Sequence, residues 1–152
     1  MVQKNINIQN KKARFEFEIL DKFVAGIQLT GTEIKSIRLS QARITESFCE
    51  FNERGELFIV NMYIQEYLFG HHFNHKPKSE RRLLLNKREL RSLRKDVEAK
   101  GNTIVPLRLF INDNGFAKLE IALAKGKQTH DKREVIKDRD NKRDLARIKK
   151  NF

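Results

Sequence analysis

The sequence predicts a mainly β fold: a small antiparallel barrel or sandwich with two or three helices, followed by a basic tail. Segments with alternating apolar and polar residues recur through residues 1–124 and are separated by turn signals, as in short antiparallel strands. The strand–helix alternation that builds a parallel sheet is missing. From Lys125 onward, 16 of the last 28 residues are charged. We therefore expect residues 125–152 to be disordered alone and helical on a partner.

The first strands are predicted where Phe15, Phe17 and Ile19 alternate with glutamates in residues 15–20. Residues 23–29 are predicted to be a second extended piece. A glycine inside a strand often marks a bulge or a close backbone approach, and we assign Gly26 that role.

A first helix of about residues 31–38 is predicted by Thr30-Gly-Thr-Glu33, which matches the capping box Thr-x-x-Glu. The helical period places Ile34 and Ile37 toward the core and Lys35 and Arg38 toward solvent. The phosphate-loop spacing is absent, although the helix start at Thr30–Thr32 could bind one phosphate.

Two hairpins are predicted from turn residues between alternating segments. Residues 44–51 and 57–64 flank a turn ending at Gly55, and residues 103–111 and 116–124 flank Asn114-Gly115. Asn-Gly is a strong hairpin signal because both residues tolerate positive φ.

A second helix is predicted after a short strand at residues 81–85. Asn86 with Glu89 three residues later gives its N-cap, and Gly101 ends it. Its buried stripe is Leu90, Leu93 and Val97, and its opposite face carries Lys87, Arg91, Arg94 and Lys95.

The charge distribution predicts a polyanionic partner. Lysine and arginine number 32 against 20 acidic residues, a net charge of +12. Residues 76–100 and 125–152 each carry a net +6, so the rest of the chain is neutral. Two separate basic segments suggest two contacts with nucleic acid or with an anionic membrane surface.

The same composition argues against other classes. No apolar run reaches the length of a membrane-spanning helix, and the N-terminus lacks the features of a secretory signal. The single cysteine, Cys49, lies in a strand pattern and is interpreted as a small core residue in a reducing compartment, so we expect a cytoplasmic protein.

Catalytic and metal sites are not supported by any motif. His71, His72 and His75 have a spacing that could hold a metal, but a polar loop of surface histidines within residues 67–80 is the favoured interpretation. No nucleophile motif or carboxylate pair is present. We expect no enzyme activity, no metal and no cofactor.

Several motifs, in one order along the chain, resemble a known family. They are Asn10-Lys-Lys-Ala-Arg14, Gly31-Thr-Glu-Ile-Lys-Ser36 with Arg38, Arg82-Leu-Leu-Leu-Asn-Lys-Arg-Glu89, Ala124-Lys-Gly-Lys127 and Asp131-Lys-Arg133. Over residues 10–150 the chain is similar to the SsrA-binding protein family, SmpB, the bacterial partners of transfer-messenger RNA.

The resemblance implies an oligonucleotide-binding-like antiparallel β-barrel with flanking helices. It implies binding to the transfer-RNA-like domain of transfer-messenger RNA and delivery of that RNA to stalled ribosomes. The tail would enter the decoding centre and the empty messenger channel of the small subunit. We expect no membrane partner and a monomer.

The resemblance also implies which residues act. The residues expected to bind transfer-messenger RNA are Asn10, Lys11, Arg14, Glu33, Lys35, Arg38, Leu84 and Lys118. Those expected to contact the ribosome are Lys125, Gly126, Lys127, His130, Asp131, Lys132, Arg133, Ile148 and Lys149. Two positions depart from the family pattern: Val24 stands where an acidic residue is usual, and Phe15 where many members carry histidine.

A basic barrel could also serve two other functions. A general single-strand-binding barrel requires stacking aromatics on an exposed strand face, and the phenylalanines alternate here as expected of core residues. A hydrolase or nuclease acting on RNA requires a carboxylate pair or a histidine site, which the motifs do not supply.

Overall fold

A computed structural model describes residues 6–70 and 73–127. Within these residues there are three helices, α1 (Lys11–Glu16), α2 (Gly31–Arg38) and α3 (Lys87–Lys100). The strands are β1 (Asn7–Gln9), β2 (Phe17–Ile27), β3 (Ala42–Arg43), β4 (Phe48–Phe51), β5 (Leu57–Val60), β6 (Tyr63–Ile64), β7 (Arg81–Leu84), β8 (Thr103–Ile111) and β9 (Ala117–Gly126).

Six of these strands close into a ring. Their order is β8-β4-β5-β7-β2-β9, and β9 pairs back onto β8, with every pairing antiparallel. The short β1 extends the far edge of β8, where Asn7 lies opposite Phe110. Closure removes the open sheet edges. The predicted mainly β barrel with two to three helices is confirmed.

The barrel interior is filled by inward-facing aliphatic residues, and two helices add to it. Ile37 of α2 and Leu93 of α3 are fully buried in the same cluster as Ile59 and Leu119. Cys49 is buried there as predicted, and loss of hydration raises the pKa of its thiol. The amphipathic patterns of α2 and α3 therefore follow from their packing on one core.

The helix α1 is a correction to the predicted first strand. Asn10 caps α1, and its side-chain oxygen accepts a hydrogen bond from the N–H of Ala13. Ala13 packs against the outer side of β8 and β9 in a second small core. The strand begins at Phe17 rather than Phe15 because Lys11–Glu16 form this capped helix.

The strand β2 also differs from the prediction of two extended pieces. It continues without a break to Ile27, and its irregularity lies between Ile19 and Asp21 rather than at Gly26. Gly26 pairs regularly with both neighbouring strands.

The local turn and cap signals are confirmed. Both α2 and α3 begin with complete capping boxes, and Gly101 ends α3 in the left-handed conformation. The hairpin turns place Gly55 and Gly115 at φ of 81° and 86°, values that favour glycine.

The predicted domain boundary falls inside a strand. Lys125 lies opposite Glu18, Gly126 lies opposite Phe17, and the N–H of Lys127 donates to the carbonyl of Glu16. The expected hinge at Gly126 is therefore the end of β9. The expected disorder of the tail from residue 128 lies outside the described residues.

Candidate RNA-binding surface

A buried ion pair holds α2 in place. The Oε2 atom of Glu33 accepts a 2.6 Å hydrogen bond from Nε of Arg81, and both side chains are almost fully buried. The other carboxylate oxygen of Glu33 accepts from the N–H of Thr30 at 2.8 Å. Each oxygen of Glu33 thus has a donor, which a buried carboxylate requires.

The same arginine fixes the loop after β6. Arg81 donates through Nη1 to the carbonyl of Met62 and through Nη2 to the carbonyls of Lys76 and Pro77. Four acceptors therefore surround one guanidinium, and they tie β7, α2 and the loop together.

His75 makes a second connection between this loop and α2. Its Nε2 lies 2.9 Å from the carbonyl oxygen of Ile64, and its Nδ1 lies 2.9 Å from Oγ1 of Thr32. A carbonyl only accepts, so Nε2 donates and a neutral ring can accept the Thr32 hydroxyl at Nδ1. His75 is buried, which corrects the expectation of a surface histidine.

Metal binding gains no support from this loop. His71 and His72 lie outside the described residues. Among the residues that the structure describes, no group of three histidine, cysteine or carboxylate side chains could hold a metal ion.

The outer face of α2 presents the cations that the sequence predicts. Lys35 is exposed, and its Nζ lies 5.5 Å from the centre of the Tyr67 ring. Arg38 is partly exposed one turn further on. The loop held by Arg81 thus supplies the aromatic ring that orients Lys35.

Leu84 and Lys118 come together across Gly26. The register places Leu84 of β7 and Lys118 of β9 on either side of Gly26 in β2. A Cβ atom at Gly26 would lie 3.6 Å from Leu84 Cβ and 3.8 Å from Lys118 Nζ. Because Leu84 is 47% exposed, it is an apolar contact beside a cation on the outer barrel face.

A cluster around Glu120 continues this face. Its carboxylate lies 3.6 Å from Nη2 of Arg14 and 3.5 Å from Nε of Arg108. The guanidinium of Arg108 in turn lies 4.0 Å from the centre of the Phe110 ring. Val24 is opposite Glu120 and exposed.

Arg108 and Phe110 are not among the RNA-binding residues predicted from the sequence. Their positions two residues apart in β8 were the available signal, because alternate strand residues share a face. Phe110 lies opposite Lys118, which joins the Glu120 cluster to Lys118 and Leu84.

Two of the residues predicted to contact RNA are buried. Asn10 is 2% exposed and donates through Nδ2 to the carbonyls of Ile44 and Pro106. Glu33 is 3% exposed and fully paired. Both side chains use their polar atoms inside the fold, and their contact with RNA stays a prediction.

The helix start at Thr30–Thr32 uses part of its hydrogen-bonding capacity in its own capping box. The N–H of Glu33 donates to Oγ1 of Thr30 at 3.4 Å, and the N–H of Thr30 donates to the Glu33 carboxylate. The capping box uses these two backbone groups, and the phosphate contact at this helix start stays a prediction.

The remaining predicted residues fall into two groups. Lys11, Arg14, Lys125, Gly126 and Lys127 are exposed. His130, Asp131, Lys132, Arg133, Ile148 and Lys149 lie outside the described residues.

The phenylalanines contradict the argument used against a single-strand-binding barrel. None of those that the structure describes is fully buried. The exposed ones are Phe15, Phe48, Phe69, Phe73 and Phe116. The interior is aliphatic instead, so aromatic burial does not separate this alternative from the others.

Comparison with known proteins places this arrangement in one family. A family model described as SmpB protein matches residues 7–151. An SsrA-binding protein of Flavobacterium psychrophilum is 69% identical over 149 residues, covering 98% of this chain and 99% of the relative. One from Bacteroides thetaiotaomicron is 52% identical over 148 residues, covering 97% and 98%.

A solved structure agrees with these relatives. It is described as "tmRNA-SmpB: a journey to the center of the bacterial ribosome" and is 43% identical in sequence. It superimposes with a TM-score of 0.69 over 86% of this chain and 94% of the solved one.

Proposed function

The chain belongs to the SmpB family, and on that premise we propose that it binds transfer-messenger RNA and acts with it in trans-translation on the ribosome. The observation that carries this function is the family match through residues 7–151, together with the 43% identical chain of a tmRNA-SmpB structure. The net charge of +12 suits an RNA partner.

The RNA-binding surface is proposed to combine α2 with the outer face of β7, β2 and β9. Lys35 and Arg38 supply cations, and Leu84 supplies an apolar contact next to Lys118. Arg14, Arg108 and Phe110 extend it along β8 and α1. Phosphate contacts from arginine and lysine position an RNA, while exposed rings can stack on unpaired bases.

The C-terminal residues are proposed to act on the ribosome. Residues 125–152 carry 11 basic and 5 acidic residues, and the family match extends to residue 151. Lys125, Gly126 and Lys127 lie exposed at the end of β9. We propose that the segment from Lys125 enters the decoding centre and the empty messenger channel of the small subunit.

The protein is further proposed to be an adaptor without chemistry of its own. Burial keeps the Cys49 thiol away from reactants, and the pair Glu33–Arg81 satisfies a structural need. No helix in the described part of the chain has both the length and the apolar character to span a membrane. We place the protein with the ribosomes, in the cytoplasm.

A tagging assay with purified components tests this function. Ribosomes stalled on a message without a stop codon would receive the full chain and the transfer-messenger RNA of Flavobacterium psychrophilum, whose protein is 69% identical. We expect the peptide tag to be added only when this chain is present. A folded chain that supports no tagging, while the Flavobacterium protein does, would contradict the proposal.

A further inference from the structure

A basic groove lies between α3 and the barrel, and none of the residues assigned above to the RNA-binding surface lines it. Its volume is about 480 Å³, and the β4–β5 turn and β7 form its other wall. Five cationic side chains line it, and Glu56 is the one carboxylate of the described residues that does so. These cations are Arg54, Arg82, Lys87, Arg91 and Arg94.

The groove has more positive charge than its carboxylates neutralise. Arg82 pairs with Glu56 at 3.4 Å, and Arg94 pairs with Glu98 at 3.2 Å. Within the described part of the chain, the side chains of Arg54, Lys87 and Arg91 have no carboxylate within ion-pair distance. Like charges held this close repel each other, so a bound polyanion would stabilise the groove.

Two contacts position parts of the groove wall. The guanidinium of Arg94 lies against the turn, where a Cβ atom at Gly55 would come within 2.8 Å of Nη1. The capping box of Asn86 and Glu89 fixes the start of α3. Arg94 is therefore positioned in advance, and a cation that is already positioned loses less entropy when it binds a phosphate.

The groove continues the RNA-binding surface. Arg82 lines the groove, and Leu84, two residues further along β7, borders Gly26 and Lys118. Residues two apart in a strand project from the same face. The chain's own tail is no candidate occupant, because residues 125–152 are themselves basic.

We propose that this groove binds the sugar–phosphate backbone of transfer-messenger RNA, beside the contact at Leu84 and Lys118. The inference rests on the proposed function. It assigns a role to the basic face of α3, which the sequence marked as a charge excess without an assigned site.

Two matched double variants of the full chain test it. Lys87→Gln with Arg91→Gln removes two groove cations, whereas Arg88→Gln with Lys95→Gln removes two cations of the same helix that do not line the groove. Their affinities for transfer-messenger RNA would be measured across a salt series. The groove pair should weaken binding about tenfold and lower the log–log salt slope by roughly 1.5 to 2, the value for two lost phosphate contacts. The control pair should change affinity less than twofold.

A variant in the opposite wall tests whether the loss of affinity arises from the groove and not from α3 alone. Arg54→Gln should also lower the affinity and the salt slope, by about half as much as the groove pair. Thermal unfolding of each variant checks that the barrel is intact.

Other results would overturn the inference. Equal losses from both pairs would mean that net charge alone matters. Full affinity in the groove pair with a loss of tagging on ribosomes would assign the groove to ribosomal RNA. If the unaltered chain itself shows no preference for transfer-messenger RNA, the proposed function fails, and this inference fails with it.

Discussion

Glu33 and Arg81 are 48 residues apart in the chain, and their charged groups meet at 2.6 Å inside the protein. The pair joins α2 to β7, and Arg81 also holds the loop that carries Tyr67. Lys35, two residues after Glu33 and exposed, has its Nζ 5.5 Å from the centre of that ring. We therefore expect Glu33 to influence RNA binding through the position of Lys35.

Removing the arginine should destabilise the fold. Arg81→Met leaves the Glu33 carboxylate buried without its cation, and losing one partner of a buried pair costs about 3–5 kcal/mol. Urea unfolding of the full chain measures this change. Lys12→Gln, which removes the exposed pair with Glu46, is the control and should leave the free energy of unfolding unchanged. An Arg81→Met chain as stable as the original would contradict the role given to the pair.

Reversing the charge of the outer α2 face should weaken RNA binding without unfolding the protein. Lys35→Glu with Arg38→Glu places carboxylates where phosphates are expected, because both side chains reach solvent. We expect at least a tenfold loss of affinity for transfer-messenger RNA. The control, Arg88→Glu with Lys95→Glu, makes the same charge change on α3. It should bind transfer-messenger RNA much more tightly than the α2 pair does. Unchanged affinity in the α2 pair would remove α2 from the interface.

The effect of truncation should depend on whether the end of β9, at Gly126, is kept. A chain of residues 1–127 should keep the melting temperature and most of the RNA affinity, but lose peptide tagging. A chain ending at Ala124 also loses the pairing of Lys125 and Gly126 with β2. It should melt at a lower temperature, since each lost backbone hydrogen bond contributes about 1 kcal/mol. Full tagging by the 1–127 chain would contradict the ribosomal role of the tail.

Alkaline pH should destabilise the protein through Cys49. Burial raises the pKa of its thiol above the ordinary 9.0, so the folded state keeps a proton that the unfolded state loses. The unfolded state then binds fewer protons above about pH 9, and the free energy of unfolding falls by about 1.4 kcal/mol per pH unit.

Comparison with Cys49→Ala isolates this effect. Titration of lysine and tyrosine is common to both chains and cancels in the difference. The stability advantage of the original chain should be constant below pH 8 and shrink between pH 9 and 11. An advantage that stays constant over that range would mean that the thiol is hydrated.

Features decided by neighbouring residues could be predicted from the sequence. The capping boxes at Thr30 and Asn86 span four residues each, and the turns at Gly55 and Gly115 depend on backbone angles that glycine tolerates. The outward cations of α2 follow from the helical period. Each of these needs no knowledge of the rest of the chain.

Features decided across the fold could not be predicted. The pairing of Glu33 with Arg81 needs the closed barrel, so the burial of Glu33 could not be predicted from the motif around it. Alternation tells which residues share a face but not whether that face is covered. Alternation therefore does not reveal that Phe48 and Phe116 are exposed, and the same pattern conceals α1, whose signal is the Asn10 cap.

The central claim is that this surface recognises transfer-messenger RNA, and a salt-series titration of the full chain tests it most directly. Transfer-messenger RNA would be compared with an ordinary transfer RNA and an unstructured strand of equal length. We predict tight binding that strongly prefers transfer-messenger RNA and partly survives high salt. Equal binding to all three, collapsing steeply with salt, would contradict it, because only nonspecific charge attraction would then remain.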